Sequence, residues 1–152
     1  MMPTDLTQGV TVYWTPPRRF AGLGSVGAPV AMDARPEHAG EASGPTPMET
    51  LLIALAGCTG MDVTGILEKM RAPLDSLTIA VSGERAATHP KVFTRIHIRY
   101  EFGGAGLTYE QVERAVRLSH EKYCSVAAML RPAVPITNEI VLAGAEGVRL
   151  AG

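Results

Sequence analysis

The hydrophobic positions of this chain change their period several times, and each change marks an element. In GVTVYW, Val10, Val12 and Trp14 alternate with Thr11 and Tyr13, the pattern of a strand with two unlike faces. Pro16 and Pro17 stop it, and residues 20–26 and 29–33 read as two further short strands. Gly22, Gly24 and Gly27 supply bends or turns among them. Residues 34–46 form a polar loop containing Gly and Pro, long enough to suggest a functional or covering segment.

Thr46-Pro47-Met48-Glu49 then reads as a helix start. Thr46 caps, Pro47 suits the first helical position, and Glu49 closes a capping box. The helix is expected to reach about Arg71, since Lys69 and Arg71 suit its negative end and Pro73 follows. Residues 51–58 are apolar on every face, so the helix must be wrapped on all sides. At roughly 37 Å it is long for a chain of this size to cover alone, and an intertwined oligomer is the expectation.

Strands are expected again at 77–85 and 93–103. In the second, Ile96, Ile98, Tyr100 and Phe102 alternate with Arg95, His97, Arg99 and Glu101, one face dry and one wet. Thr108 and Gln111 open a second helix, with Val112, Ala115, Val116 and Ser119 as its inward stripe, ending near Tyr123. A short turn or helix at 125–130, a last strand at 136–143 and a Gly- and Ala-rich tail complete the chain. Strands, helix, hairpin, helix and strand in this order give an α+β fold with mostly antiparallel pairing, as a single domain over residues 1–152.

Composition narrows the function. The chain has 152 residues, 46% hydrophobic and 19% charged, too apolar for disorder and large enough for one core. Its 14 basic and 15 acidic residues leave no field to recruit nucleic acid. Two cysteines cannot staple a secreted fold. MMPTDLTQGV has no basic or apolar leader pattern, and no strictly apolar run nears the ~20 residues of a membrane span. A cytoplasmic chain with reduced thiols and no membrane partner is expected.

Metal binding finds little support, because His38, His89, His97 and His120 are scattered and no CxxC occurs. His89 and His97 read as solvated surface residues. Dinucleotide, P-loop and GxSxG motifs are absent, and no cofactor is expected. Cys58 lies within the apolar helix, where a free cysteine is most simply a small core residue; reactivity requires a nearby cation, and Arg18-Arg19 is the available pair. Cys124 falls at the junction after the second helix. Met61, Met70 and Met129 read first as core filling, and Trp14 as a sheet-core anchor. Asp62, four residues after Cys58, could orient a pocket group or pair at an interface. His120 and Tyr123 could line the same pocket or simply pack.

The run SGPTPMETLLIALAGCTGMDVTGILEKMR, followed later by HEKYCSVAAML, resembles the OsmC/Ohr family, and its OsmC-like branch in particular. The resemblance implies an α+β homodimer in which two long central helices cross and sheets from both subunits wrap them. It implies a thiol peroxidase that reduces organic hydroperoxides, with Cys58 as peroxidatic and Cys124 as resolving cysteine. Arg18 or Arg19 would stabilise the Cys58 thiolate. The family's glutamate position holds Met48 here, with Glu49 one residue later, and one residue turns a helix by ~100°. Glu49 is therefore either a catalytic partner or only a helix cap. Met48, Met61 and Tyr123 are candidates to line the substrate pocket.

The expected partners are a second copy of the chain, a small apolar hydroperoxide and a dithiol reductant, lipoyl-type or other. The rival reading is a protein that binds a small apolar ligand without peroxidase turnover, motivated by Met48 in place of the acid. Thiol-dependent transfer or hydrolysis has no histidine placed as its base.

Overall fold

The computed structural model describes residues 8–143 and 149–151, and the chain divides into two units, one reaching to Leu51 and one beginning at Leu52. In the first unit, strands β1 (Thr11–Thr15), β2 (Arg19–Leu23) and β3 (Val30–Met32) form an antiparallel sheet in that order. Trp14 faces Phe20 across one strand pair and Phe20 faces Met32 across the next. The second strand starts at Arg19 and stops at Leu23, shorter at its far end than the apolar pattern suggests, because the glycine-rich segment beyond leaves extended pairing. Trp14 is no core anchor: it lies on an edge strand, 59% exposed, its indole N–H donating to the Pro17 carbonyl.

Asp33 organises the loop that follows. Its buried carboxylate accepts from the Ala34 N–H and from both the N–H and hydroxyl of Ser43, folding the loop back on itself. The hydroxyl of Ser43 is the first cause that holds the Asp33 carboxyl below its ordinary range. A side chain at Gly40 would run into the Ala34 backbone, so glycine is required there.

Helix α1 (Pro47–Lys69) begins in the first unit and continues into the second. The expected capping box is present: Thr46 Oγ1 accepts the Glu49 N–H, and Glu49 Oε2 accepts the Thr46 N–H at 2.8 Å. At the other end, Ala72 N–H reaches back to Leu67 and Arg71 N–H to Glu68, with Arg71 left-handed at φ 54°. This is a Schellman closure, and it ends the helix slightly before the expected Arg71.

In the second unit, β4 (Ser76–Arg85), β5 (Phe93–Gly103), β6 (Ile136–Leu142) and β7 (Arg149–Ala151) form one sheet in chain order. The β4–β5 and β6–β7 pairs are antiparallel, but β5 and β6 are parallel. The expectation of mostly antiparallel pairing holds, with this one parallel pair at the centre of the second sheet. Two helices, α2 (Tyr109–Leu118) and α3 (Ser125–Leu130), fill the β5–β6 connection, and a crossover of that kind returns the chain in the parallel sense. β7 comes from the stretch that reads only as a tail.

The alternation in β5 holds: Ile96, Ile98, Tyr100 and Phe102 are buried, and they line up with Ile140 and Leu142 of β6. Leu55, Val63 and Leu67 of α1 and Val112, Ala115 and Val116 of α2 complete one core. On the wet face His97 is more than a solvated histidine, because it sits between Thr137 and Glu139 at 2.7 and 3.1 Å. That contact with His97 is the first cause that lowers the Glu139 carboxyl below its ordinary range.

The second helix stops short of its expected end. After Leu118 the chain takes a π-turn, Ser119–Tyr123, in which the Cys124 N–H reaches Ser119 at 2.8 Å. The stripe forecast for this helix is correct, with Ser119 fully buried beside its apolar neighbours.

Candidate active site

Cys58 and Cys124 are free thiols of the second unit, brought together from two different elements. Cys58 is half-buried on α1, one helical turn before Asp62 on the same face. Cys124 leaves the π-turn in extended conformation (ψ 103°) and becomes the N-cap of α3, its sulfur accepting the Ala127 N–H. A π-turn adds a residue to the helical register, which re-aims the side chain that follows it. Both sulfurs and a carboxylate oxygen of Asp62 lie within 4.8 Å of one another.

Behind Asp62 runs a buried hydroxyl chain. Ser119 Oγ donates to Asp62 Oδ2 at 2.9 Å, Ser119 and Thr59 are 2.8 Å apart, and Thr59 and Tyr100 are 2.8 Å apart. A carboxylate oxygen only accepts, so the protons have one order: Tyr100 gives to Thr59, Thr59 to Ser119, Ser119 to Asp62. Three elements of the core thereby fix the orientation of one carboxylate.

Burial dominates the titration of this region. It pushes the Cys124 thiol up to about 11, the Cys58 thiol and Asp62 carboxylate acting the same way and the Ala127 N–H against them. It also pushes Tyr100 up to about 12, in part opposed by the bond to Thr59, so Tyr100 remains a donor at neutral pH. His120 is lowered first by burial and then by Arg131.

A pocket of about 500 Å³ adjoins the cluster through Asp62, lined also by Met61, Ile66, Lys69, Arg114 and Tyr123. Met61 and Tyr123 both border this pocket. Met61 and Met129 are not core filling, however, being 78% and 80% exposed; Met70 packs against the core. The helix residues buried by this chain are Leu55, Thr59, Val63 and Leu67, a single stripe, so the wrapping expected around residues 51–58 is partial. By length and mean hydropathy α1 is apolar enough to cross a bilayer, although that stripe packs it into the core.

The remaining candidates belong to the first unit. Arg18 donates to the neighbouring Pro17 carbonyl and borders a small concavity with Phe20, Met32 and Pro47. Arg19 donates to Ser43 Oγ at 3.1 Å. Glu49 holds the cap and pairs with Arg35 at 2.7 Å, and the Thr46 N–H is the first cause that lowers its carboxyl. Met48 is half-buried in the first turn of the helix.

Sequence reading passed over Thr59, Tyr100 and the role of Ser119. Thr59 directly follows the apolar run of residues 51–58, and Tyr100 and Ser119 fall at packing positions. The usable signal was Asp62: a charge in a helix so apolar needs partners, and Thr59 is three residues away on the same face.

The OsmC-like protein family matches residues 40–139, a stretch containing both cysteines and Asp62. The protein YhfA of Escherichia coli is 39% identical over 134 residues, 87% of this chain and 97% of its own. A hypothetical protein from Aquifex aeolicus has a crystal structure that superposes with TM-score 0.74 at 32% identity, covering 90% of this chain and 98% of its own. An organic hydroperoxide resistance protein from Legionella pneumophila shares the fold, with TM-score 0.64 at 16% identity over 91% of this chain and 99% of its own. On the extent of the family match and the identity to YhfA, the chain belongs to the OsmC-like family.

Proposed function

We propose that this protein is a thiol peroxidase that reduces organic hydroperoxides to alcohols. The observation that carries the reading is the convergence of the two free thiols on Asp62, which borders a pocket with both apolar and charged walls. Family membership, and the hydroperoxide-resistance role named for the Legionella relative, support it.

In this reading the Cys58 thiolate attacks the terminal oxygen of the hydroperoxide. The O–O bond breaks, the alkoxide leaves and is protonated to the alcohol, and Cys58 becomes a sulfenic acid. The sulfur of Cys124 then attacks the Cys58 sulfur, forming the disulfide, while the hydroxyl leaves as water with the Cys124 proton. A dithiol reductant reopens the bond by exchange, as a reducing compartment such as the cytoplasm allows. The resemblance assigns thiolate stabilisation to Arg18 or Arg19, and Glu49 makes the helix cap and an ion pair with Arg35.

The functional form in this proposal is a homodimer. Ile53, Gly57 and Met61 recur on one exposed face of α1, and Ile53 is 56% exposed, an apolar surface that a second copy would cover. Sedimentation at micromolar concentration is expected to give a dimer, and Met61→Glu a monomer; a monomeric native chain would remove this part of the proposal.

The reaction is tested by adding one equivalent of cumene hydroperoxide to reduced protein. One equivalent of alcohol and loss of two thiols are expected. Untouched thiols over hours would overturn the peroxidase reading. The pocket favours one second reading, a small apolar ligand held without turnover, which the same untouched thiols together with measurable ligand binding would support.

A further inference from the structure

We propose that Cys58, Cys124 and Asp62 form a binding site for one zinc-class divalent cation, held by two thiolate sulfurs and one carboxylate oxygen. The three ligand atoms already lie within 4.8 Å of one another. Tetrahedral zinc, with sulfur at about 2.3 Å and oxygen at about 2.0–2.2 Å, requires ligand atoms roughly 3.5–3.8 Å apart. The difference to be closed is at most about 1.3 Å.

The donor set selects the ion. Two soft sulfurs exclude magnesium and calcium, which seek oxygen ligands, and favour zinc and its relatives. Three protein ligands leave a fourth position for water, the arrangement of an open rather than a sealed zinc site.

The surroundings are built for a ligating carboxylate. Ser119 donates to Asp62 Oδ2, which uses one lone pair of the carboxylate and leaves the others for the ion. Ser119 is itself held by Thr59, and Thr59 by Tyr100, all three buried. Outer partners of this kind orient metal-ligating side chains in established sites. Cys58 and Asp62 stand one turn apart on a rigid helix, and Cys124 is fixed by the π-turn and the Ala127 N–H. The pocket that reaches Asp62 offers an entry path.

Scanning for histidine pairs and CxxC misses this set, because its signature is C-x-x-x-D on a helix plus one distant cysteine. Binding releases the protons of both thiols and leaves two thiolates against one dication. A disulfide consumes both sulfurs, so cation and disulfide exclude each other. The cation-bound chain is the oxidation-protected form. The site does not depend on the peroxidase reading.

The test uses the reduced, metal-stripped full chain titrated with cobalt(II) under anaerobic conditions. One equivalent should produce an intense thiolate-to-cobalt charge-transfer band, bleached by one equivalent of zinc. Cys58→Ser, Cys124→Ser and Asp62→Asn should each weaken binding tenfold or more. Absence of the band at one equivalent, or unchanged affinity in Asp62→Asn and Cys124→Ser, overturns the site. Oxidation of the metal-free wild-type chain with diamide, which accepts two electrons and two protons as the disulfide forms, provides a second route that needs no variant. The oxidised chain should then take up no cobalt, and binding of one equivalent also overturns the site. Cobalt binding by the reduced chain, with no consumption of cumene hydroperoxide by the metal-free chain, would reject the peroxidase and leave the metal site standing.

Discussion

Helix α1 carries one carboxylate in its first turn and another near its middle, and the two have opposite explanations. Glu49 sits where a helix welcomes negative charge, closing the cap with Thr46 and pairing with an exposed Arg35. Nothing about it requires chemistry. Asp62 sits where the helix gains nothing from a charge, beside two thiols and at the end of a hydroxyl chain from the core. A half-buried carboxylate beside a thiol already pushed up by burial is costly for packing alone. What a charge is for can be judged from whether its position on the helix already explains it.

The largest effects are expected in the middle of the helix. Cys58→Ser should abolish alcohol release from cumene hydroperoxide. Cys124→Ser should permit one reaction and then hold Cys58 as a sulfenic acid, trapped by dimedone and read by mass. If both variants lose the first step equally, the division of roles between the sulfurs is wrong.

Next in size is the hydroxyl chain. Thr59→Val keeps the shape of the side chain and strands both the Tyr100 donor and the Ser119 acceptor in the core. Loss of buried partners should cost about 1–3 kcal/mol in urea unfolding. Wild-type stability in this variant would mean that the chain is incidental.

The first turn should answer more weakly. Thr46→Ala removes the capping oxygen and should cost about 1 kcal/mol, with the thiol reaction unchanged. The smallest effect concerns acid. Because the folded Glu49 carboxyl is held below its ordinary 4.5, its contribution is present above that pH and is lost as pH falls through the folded value. Glu49→Gln should therefore be slightly less stable than wild type at pH 7, with the difference shrinking as pH falls below 4.5. A difference that does not shrink on acidification would contradict the charge-based account.

Local signals carried much of the fold. The Thr46 and Thr108 capping boxes and the alternation along β5 each lie within a few residues of sequence, and each formed as read. The parallel β5–β6 pairing was hidden because register across a crossover leaves no local trace. The site divides in the same way. Both cysteines were visible, because their motifs resemble one family. Their partner Asp62 was visible as an anomaly, but its bond to Ser119 joins residues far apart in sequence. Trp14, Met61 and Met129 misled, since apolar character predicts burial only where something covers the residue, and a single copy of this chain leaves them exposed.

The central claim is that Cys58 and Cys124 act as one reacting pair. Its most direct test is peptide mapping of wild-type protein after one equivalent of cumene hydroperoxide, without added reductant. The account predicts a Cys58–Cys124 disulfide within one chain as the main product. Two unlinked cysteines, with Cys58 oxidised alone or both thiols intact, would contradict it.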